Sequence, residues 1–388
     1  MSRPRRVVLA GYLVGFPLGG MVWCMLHYLA ALSRLGCEVL FLEDSSTWSY
    51  PYDPRTRTWG VDSSYARSLM DRLFAAYCPG VRWAYVSELE GQVYGLSREE
   101  LNRTLARADC LLNLSGILPL REEYARIPAR AFIDTDPVFT QAKAANDPGT
   151  LDYLKAHDHH FTYGYLLPRG ETPVPLLGLD WKPILPPVLL DCWTPRPGPG
   201  GAWTTLGTWD VKSREIEIGG VRYSWRKSRE FEKVIELPRR LPGETFELAF
   251  GDMKEDGERF AAHGWTISDG LGISADVDSY RDFISASRGE FSAAKEQNVA
   301  LRSGWFSDRS ACYLAAGRPV IIQDCGIGDY LPVGQGLFVY RSIEDIVEAV
   351  GRVAAEPERH RAAAHRLAEE HFEATAVVGT MLGEMGLG

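Results

Sequence analysis

The chain has 388 residues, 45% apolar and 24% charged, with 11 Trp, 17 Tyr and 15 Phe, enough to fill two packed cores and too apolar for a disordered chain. A formal net charge of −9 argues against a protein that coats nucleic acid, because that affinity rests on clustered Lys and Arg neutralising phosphates. Seven cysteines, without close paired spacing, argue against a disulfide framework and suit reduced thiols in the cytoplasm.

The opening MSRPRRVVLAGYLVGFPLGGMVWCML imitates a signal peptide, but Gly11, Gly15, Pro17, Gly19 and Gly20 interrupt its apolar run and no small-residue cleavage site follows. It reads instead as a strand, RRVVLAGYL, and a loop, GFPLGG. An amphipathic helix, MVWCMLHYLAALSRLG, then stops at Gly36 and leads to a second strand, CEVLFLED. This β–α–β unit requires parallel strands. No apolar segment elsewhere reaches the ~20 residues of a membrane helix, so no span is expected.

Residues 45–65, SSTWSYPYDPRTRTWGVDSSY, are loop-like and rich in aromatics, which either tuck the loop onto the body or line a ligand pocket. Trp48, Tyr52 and Trp59 are the candidates there. RADCLLNLSG and RAFIDTDP read as apolar strands ending in polar residues, the place where open α/β sheets carry ligand-contacting loops. Asp134 and Asp136 are thus candidate general bases, Asp136 preferred, with Glu43 and Asp44 at another strand end as lesser ones. Each has a competing role in capping its loop. His27 lies two turns into its helix, where packing is the commoner fate of a histidine. KAHDHHFTYG places His157, Asp158, His159 and His160 together, yet lacks the i, i+4 pair of helical zinc sites, so no metal is expected.

A dense run of prolines and glycines over residues 173–200 marks a crossing between domains. The boundary is set there, giving domains 1–186 and 187–388. The second restarts with strands AWTTLGTW and ETFELAFG, a helix SYRDFISASRG, and strands RPVIIQDCG and GLFVY. The tail is helical, with Ser342 and Asp345 as a capping pair and Pro357 opening a further helix.

The stretch RSGWFSDRSACYLAAGRPVIIQDCG carries Ser307, Asp308, Arg309 and Ser310 at the start of an apolar helix stopped by Gly317 and Pro319. A well-capped helix start accounts for the pattern. The same groups also suit a phosphate or diphosphate, through first-turn N–H groups and the Arg309 guanidinium. Gly304 adds room for close backbone approach.

Together with SRGEFSAAKEQ and GGMVWCMLHYLAALSRLG, the segment SGWFSDRSACYLAAGRPVIIQD resembles a bacterial group of GT-B glycosyltransferases, some associated with natural-product pathways. The resemblance spans most of the chain and is strongest over residues 288–341. It implies an α/β protein of two Rossmann-like domains facing a central cleft, with C-terminal helices packing back towards the first. A nucleotide-sugar donor, UDP- or TDP-linked, would bind the second domain and a small-molecule acceptor the first. No cofactor or metal is implied beyond the donor, and a homodimer is the one protein partner considered.

On this resemblance Ser307 to Ser310 sit beside the diphosphate, Lys295 adds a cation as the leaving group gains charge, and Glu290 binds a ribose or sugar hydroxyl. Gly19 and Gly20 form the cleft loop. A common retaining pattern of two glutamates at fixed spacing is absent, since Gly304 and Cys312 stand at the matching positions. Inversion is therefore the expected course. The competing expectations are a sugar-nucleotide epimerase on the same scaffold and a non-catalytic nucleotide-sugar-binding or accessory protein. A nicotinamide dehydrogenase fits less well, because GYLVGFPLGG lacks the G-x-G-x-x-G spacing.

Overall fold

Two parallel sheets organise the computed structural model, which describes residues 3–45, 50–198, 200–210 and 215–388. The first comprises β1 (Arg6–Ala10), β2 (Glu38–Asp44), β3 (Arg82–Ser87), β4 (Gln92–Gly95), β5 (Cys110–Leu114), β6 (Ala129–Asp134), β7 (His159–Thr162) and β8 (Trp181–Pro183). Their order across the sheet is β8–β7–β6–β5–β1–β2–β3–β4. Only β4 runs antiparallel. β1 is central, with Val7 level with Val39 on one side and Cys110 on the other. Helices cover both faces, which is why β1 and β5 read as near-continuous apolar runs, interrupted by Arg6 and Asn113, rather than alternating ones.

The second sheet comprises β9 (Trp203–Thr208), β10 (Phe246–Gly251), β11 (Thr266–Asp269), β12 (Gly289–Ser292), β13 (Val320–Gln323) and β14 (Leu337–Tyr340), ordered β11–β10–β9–β12–β13–β14 and parallel throughout. The expected boundary at Pro187 lies in the crossing between β8 and β9. That crossing is not a free tether: Trp193 is fully buried against Trp23 and His27.

The helices that shape the seam between the sheets are α1 (Gly19–Arg34), α2 (Phe139–Asn146), α3 (Val277–Ala286), α4 (Glu296–Ala300) and α5 (Asp308–Ala315). α1 belongs to the first half but is buried around most of its circumference, because α3 and the C-terminal helix pack on it. Trp23 Nε1 donates to the Val277 carbonyl at 3.0 Å across the seam.

The tail forms α6 (Ile343–Ala355), α7 (Pro357–His371) and α8 (Ala374–Glu384). Ser342 and Asp345 make the expected capping box, and Pro357 stands in the first turn of α7. The chain then returns to the first half. Val188 N donates to the Phe372 carbonyl at 2.7 Å, Ala374 N to the Val188 carbonyl at 3.0 Å, and Lys182 pairs with Glu384 at 2.5 Å. No helix among the described residues is long and apolar enough to cross a membrane.

Candidate active site

The strand ends of the two sheets meet at the seam, and the backbone there is under strain. Ser115, after β5, has φ 61°, and Val138, after β6, has φ 73°. A β-branched residue in the left-handed region costs energy and persists only where its surroundings hold it. Val138 follows Asp136 and Pro137, so the strained turn is the one that presents Asp136 to the other half.

Asp136 Oδ1 lies 2.7 Å from Lys295 Nζ. Lys295 comes from the N-cap position of α4, so this ion pair joins the two halves. Its ammonium also sits 3.2 Å from the centroid of the Trp225 ring, an arrangement favoured by the ring's negative face. Lys227 stands nearby, half-buried; its carbonyl accepts from Glu230 N and Phe231 N, but its ammonium makes no hydrogen bond or ion pair among the described residues. Burial first, then the positive charges of Arg309 and Lys295, lower its pKa to about 7. Three cations thus converge from residues 227, 295 and 309.

Arg309 does not reach into this space as the resemblance implies. Its Nε donates to Glu290 Oε1 at 2.7 Å, one terminal nitrogen to the Leu206 carbonyl at 2.6 Å and the other to Ser292 Oγ at 2.7 Å. Arg309 and Glu290 are both buried, so Glu290 is the counter-ion that brings Arg309 into the fold rather than a hydroxyl ligand. The pair locks the first turn of α5 onto β9 and β12. Ser310 is wholly buried, its hydroxyl without a partner among the described residues.

Ser307 occupies the N-cap position of α5 but its side chain makes no capping bond, lying instead 3.4 Å from Asp308 Oδ1. Asp308 faces the seam. Burial raises its pKa, opposed by Arg309 and Lys227, and its charge bears on Tyr12, Cys24, Tyr28, Tyr163 and Tyr280. Burial comes first in raising the pKa of each of these groups, most of them from the first half, and the charge of Asp308 adds to it.

Several expected contacts are structural instead. Asp134 is buried and accepts from Asp136 N, Thr140 Oγ1, Gln141 Nε2 and Thr162 Oγ1, which leaves neither oxygen for a substrate. Burial raises its pKa to about 6. Glu43 accepts from the N–H groups of Val14 and Gly15, at 2.7 Å each, and so anchors the loop before α1. Asp44 accepts from Arg121 and Tyr124.

His27 Nε2 accepts from Trp193 Nε1 at 3.1 Å, and burial lowers its pKa to about 3. It is packing, not a base. His157 and His160 are likewise buried, bonded to the carbonyls of Tyr153 and Leu154. Among the described residues no group of three or more His, Cys, Asp or Glu could hold a metal ion.

The glycines serve the seam rather than open space. A Cβ on Gly19 would lie 2.6 Å from Tyr280 Cβ, and one on Gly20 3.2 Å from its hydroxyl. Gly304, at φ 70°, would place a Cβ 2.8 Å from Leu166 N, because residues 303–304 pair with residues 165–166 of the first half. Tyr165 and Tyr330 stack beside them at 4.2 Å.

Among the loop aromatics, Tyr52 is buried against Phe16, whose ring also stacks on Trp59 at 5.8 Å. Trp59 remains 50% exposed. Arg57, from the same loop, reaches Asp269 of the second half. Trp48 lies outside the described residues.

Lys227 escaped the sequence reading. It follows the hairpin of Ile216–Ile218 with Val221–Tyr223, on irregular backbone, and its only local signals are the Gly219–Gly220 turn and a basic run beside Trp225.

Three solved structures share this arrangement along their whole length. Sucrose-phosphate synthase from Thermosynechococcus elongatus matches at 13% identity and a TM-score of 0.52, over 98% of each chain. Anabaena HepE in complex with UDP-glucose matches at 10% identity and 0.58, over 98% of this chain and 99% of that one. A glycosyltransferase from Rickettsia africae matches at 10% and 0.55, over 99% and 98%. The chain has the GT-B fold.

No protein-family model and no curated protein sequence matches this GT-B chain. Identities this low carry the fold alone.

Proposed function

We propose that this GT-B chain is a glycosyltransferase that takes a sugar from a nucleoside diphosphate donor, UDP- or TDP-linked, and passes it to a small-molecule acceptor. The observation that carries the reading is the convergence of Lys227, Lys295 and Arg309 beside the first turn of α5. Arg309 is neutralised by Glu290 and Lys295 pairs with Asp136, whereas Lys227 has no ion pair among the described residues; a shielded ammonium without an anion is costly, and a diphosphate supplies one.

In this reading the diphosphate lies between Lys227, Lys295 and the start of α5, with Arg309 and Glu290 holding that turn rigid behind it. As the glycosidic bond breaks, the two ammonium groups and the helix start stabilise the charge on the departing diphosphate. These cations do the work that a metal ion does elsewhere, so the reaction is proposed to be metal-independent. Asp136, on the facing strand end, takes the proton of the acceptor hydroxyl as it attacks. The course proposed is inversion, the acceptor oxygen attacking the anomeric carbon on the face opposite the departing diphosphate. The acceptor enters past Trp59, and a natural product is the acceptor class proposed.

Calorimetric titration with UDP and TDP tests the core of this. Wild type is expected to bind at least one of them, and Lys227→Gln to bind it more weakly while melting as wild type does. No binding of any nucleoside diphosphate at millimolar concentration would remove the reading. Once an acceptor is found, the anomeric coupling constant of the product separates inversion from retention.

A further inference from the structure

The Lys295–Asp136 pair raises a question that the proposed reaction does not answer. Both groups have a part in the proposed reaction, yet each pairs with the other at 2.7 Å. Lys295 is 13% exposed and Asp136 26%, so the pair is shielded enough for its attraction to matter.

We infer that donor binding exchanges partners at Lys295. The diphosphate captures the ammonium from Asp136, so that the carboxylate is released from Lys295 only when a sugar donor is in place. This rests on the proposed function and deepens it: Lys295 becomes the positioning residue through which the donor site governs the first-domain base.

The geometry supports the exchange. Lys295 is seated on the Trp225 ring at 3.2 Å, so its ammonium can swing between a carboxylate on one side and an anion on the other while keeping the ring beneath it. Lys227 lies close enough to feel the charges of both Lys295 and Arg309. Of these cations Arg309 is already neutralised by Glu290. An arriving diphosphate therefore meets Lys227 and Lys295, and only by drawing Lys295 from Asp136 does it gain the second.

The expected order is donor first, acceptor second, with domain closure linked to the change of partner.

The inference makes a prediction of unusual sign. Removing the carboxylate releases Lys295 in advance, so Asp136→Asn should bind UDP about fivefold more tightly than wild type, the range of one ion pair. Lys295→Gln should bind it more weakly. Like-charge repulsion between Asp136 and the diphosphate would also give a gain, and the double variant separates the two causes. If the gain runs through Lys295, Asp136→Asn adds nothing in the Lys295→Gln background. If it persists there, repulsion is its source and the exchange is overturned.

Equal or weaker binding by Asp136→Asn, with an unchanged melting temperature, would overturn it as well. Absence of UDP and TDP binding by wild type would instead strike at the proposed function. The Asp136 backbone N–H, which donates to Asp134, is untouched by the substitution, so the turn keeps its internal bond.

Discussion

Arg309 and Glu290 form a buried ion pair at 2.7 Å in the second half of the chain. The pair stands where the sequence suggested two separate ligand contacts. It decides which substitutions probe the site and which merely unfold it. Arg309→Ala would leave the Glu290 carboxylate buried with no cation, at a cost of about 3–5 kcal/mol. The expected result is a large drop in the urea midpoint and a loss of nucleotide binding that follows the loss of fold. An alanine variant as stable as wild type would show that Arg309 is not held as described.

Lys227 offers the cleaner probe, through pH. Its pKa is lowered to about 7, so the ammonium is charged below that pH and neutral above it. A bound diphosphate favours the charged form. UDP affinity should therefore fall as pH rises through 7, and binding above 7 should take up a proton, visible as a buffer-dependent enthalpy. Lys227→Gln should show neither effect. The same shift bears on stability: between 7 and the ordinary lysine pKa the unfolded chain holds more protons than the folded one, so this lysine's penalty on folding fades as pH rises over that interval.

The seam makes its own demand. Gly304→Ala would force a Cβ to within 2.8 Å of Leu166 N while holding alanine at φ 70°, and backbone cannot yield as a flexible side chain does. The two halves would have to part locally. Small-angle scattering should report a larger radius of gyration, and the loss of stability should exceed the ~1 kcal/mol typical of a surface glycine replaced where φ is positive. An unchanged radius and melting curve would mean that the contact is not maintained in solution.

Much of the architecture was readable because each half repeats a local rule. The runs at Val7, Val39 and Cys110 are apolar without alternation, which signals strands covered on both faces, and Gly36 and Pro357 mark a helix end and a helix start. The site was less readable because it is assembled from positions far apart. Nothing near Arg309 announces that Glu290 is its counter-ion, and nothing near Lys227 announces a cation cluster. Periodicity describes what a residue does to its own element. It is silent on which side chains from different elements meet, and that is why Gly19 and Gly304 looked like ligand-approach glycines when their neighbours are Tyr280 and Leu166.

Trp59 and Tyr52 share one aromatic cluster but should respond differently to truncation. Tyr52 is buried between Phe16 and the loop that follows β2, so Tyr52→Ala removes core packing and should cost about 3–5 kcal/mol. Trp59 is half exposed, so Trp59→Ala should shift stability by less than roughly 1 kcal/mol. The exposed indole lies on the loop whose Arg57 reaches Asp269 across the seam, and the proposed function assigns it to the acceptor entrance rather than to the diphosphate seat. Trp59→Ala should consequently leave UDP affinity unchanged and raise KM for an acceptor, with donor hydrolysis in the absence of acceptor as the control. A fall in UDP affinity equal to that of Lys227→Gln would place Trp59 with the donor and leave the acceptor entrance to be sought elsewhere on the seam.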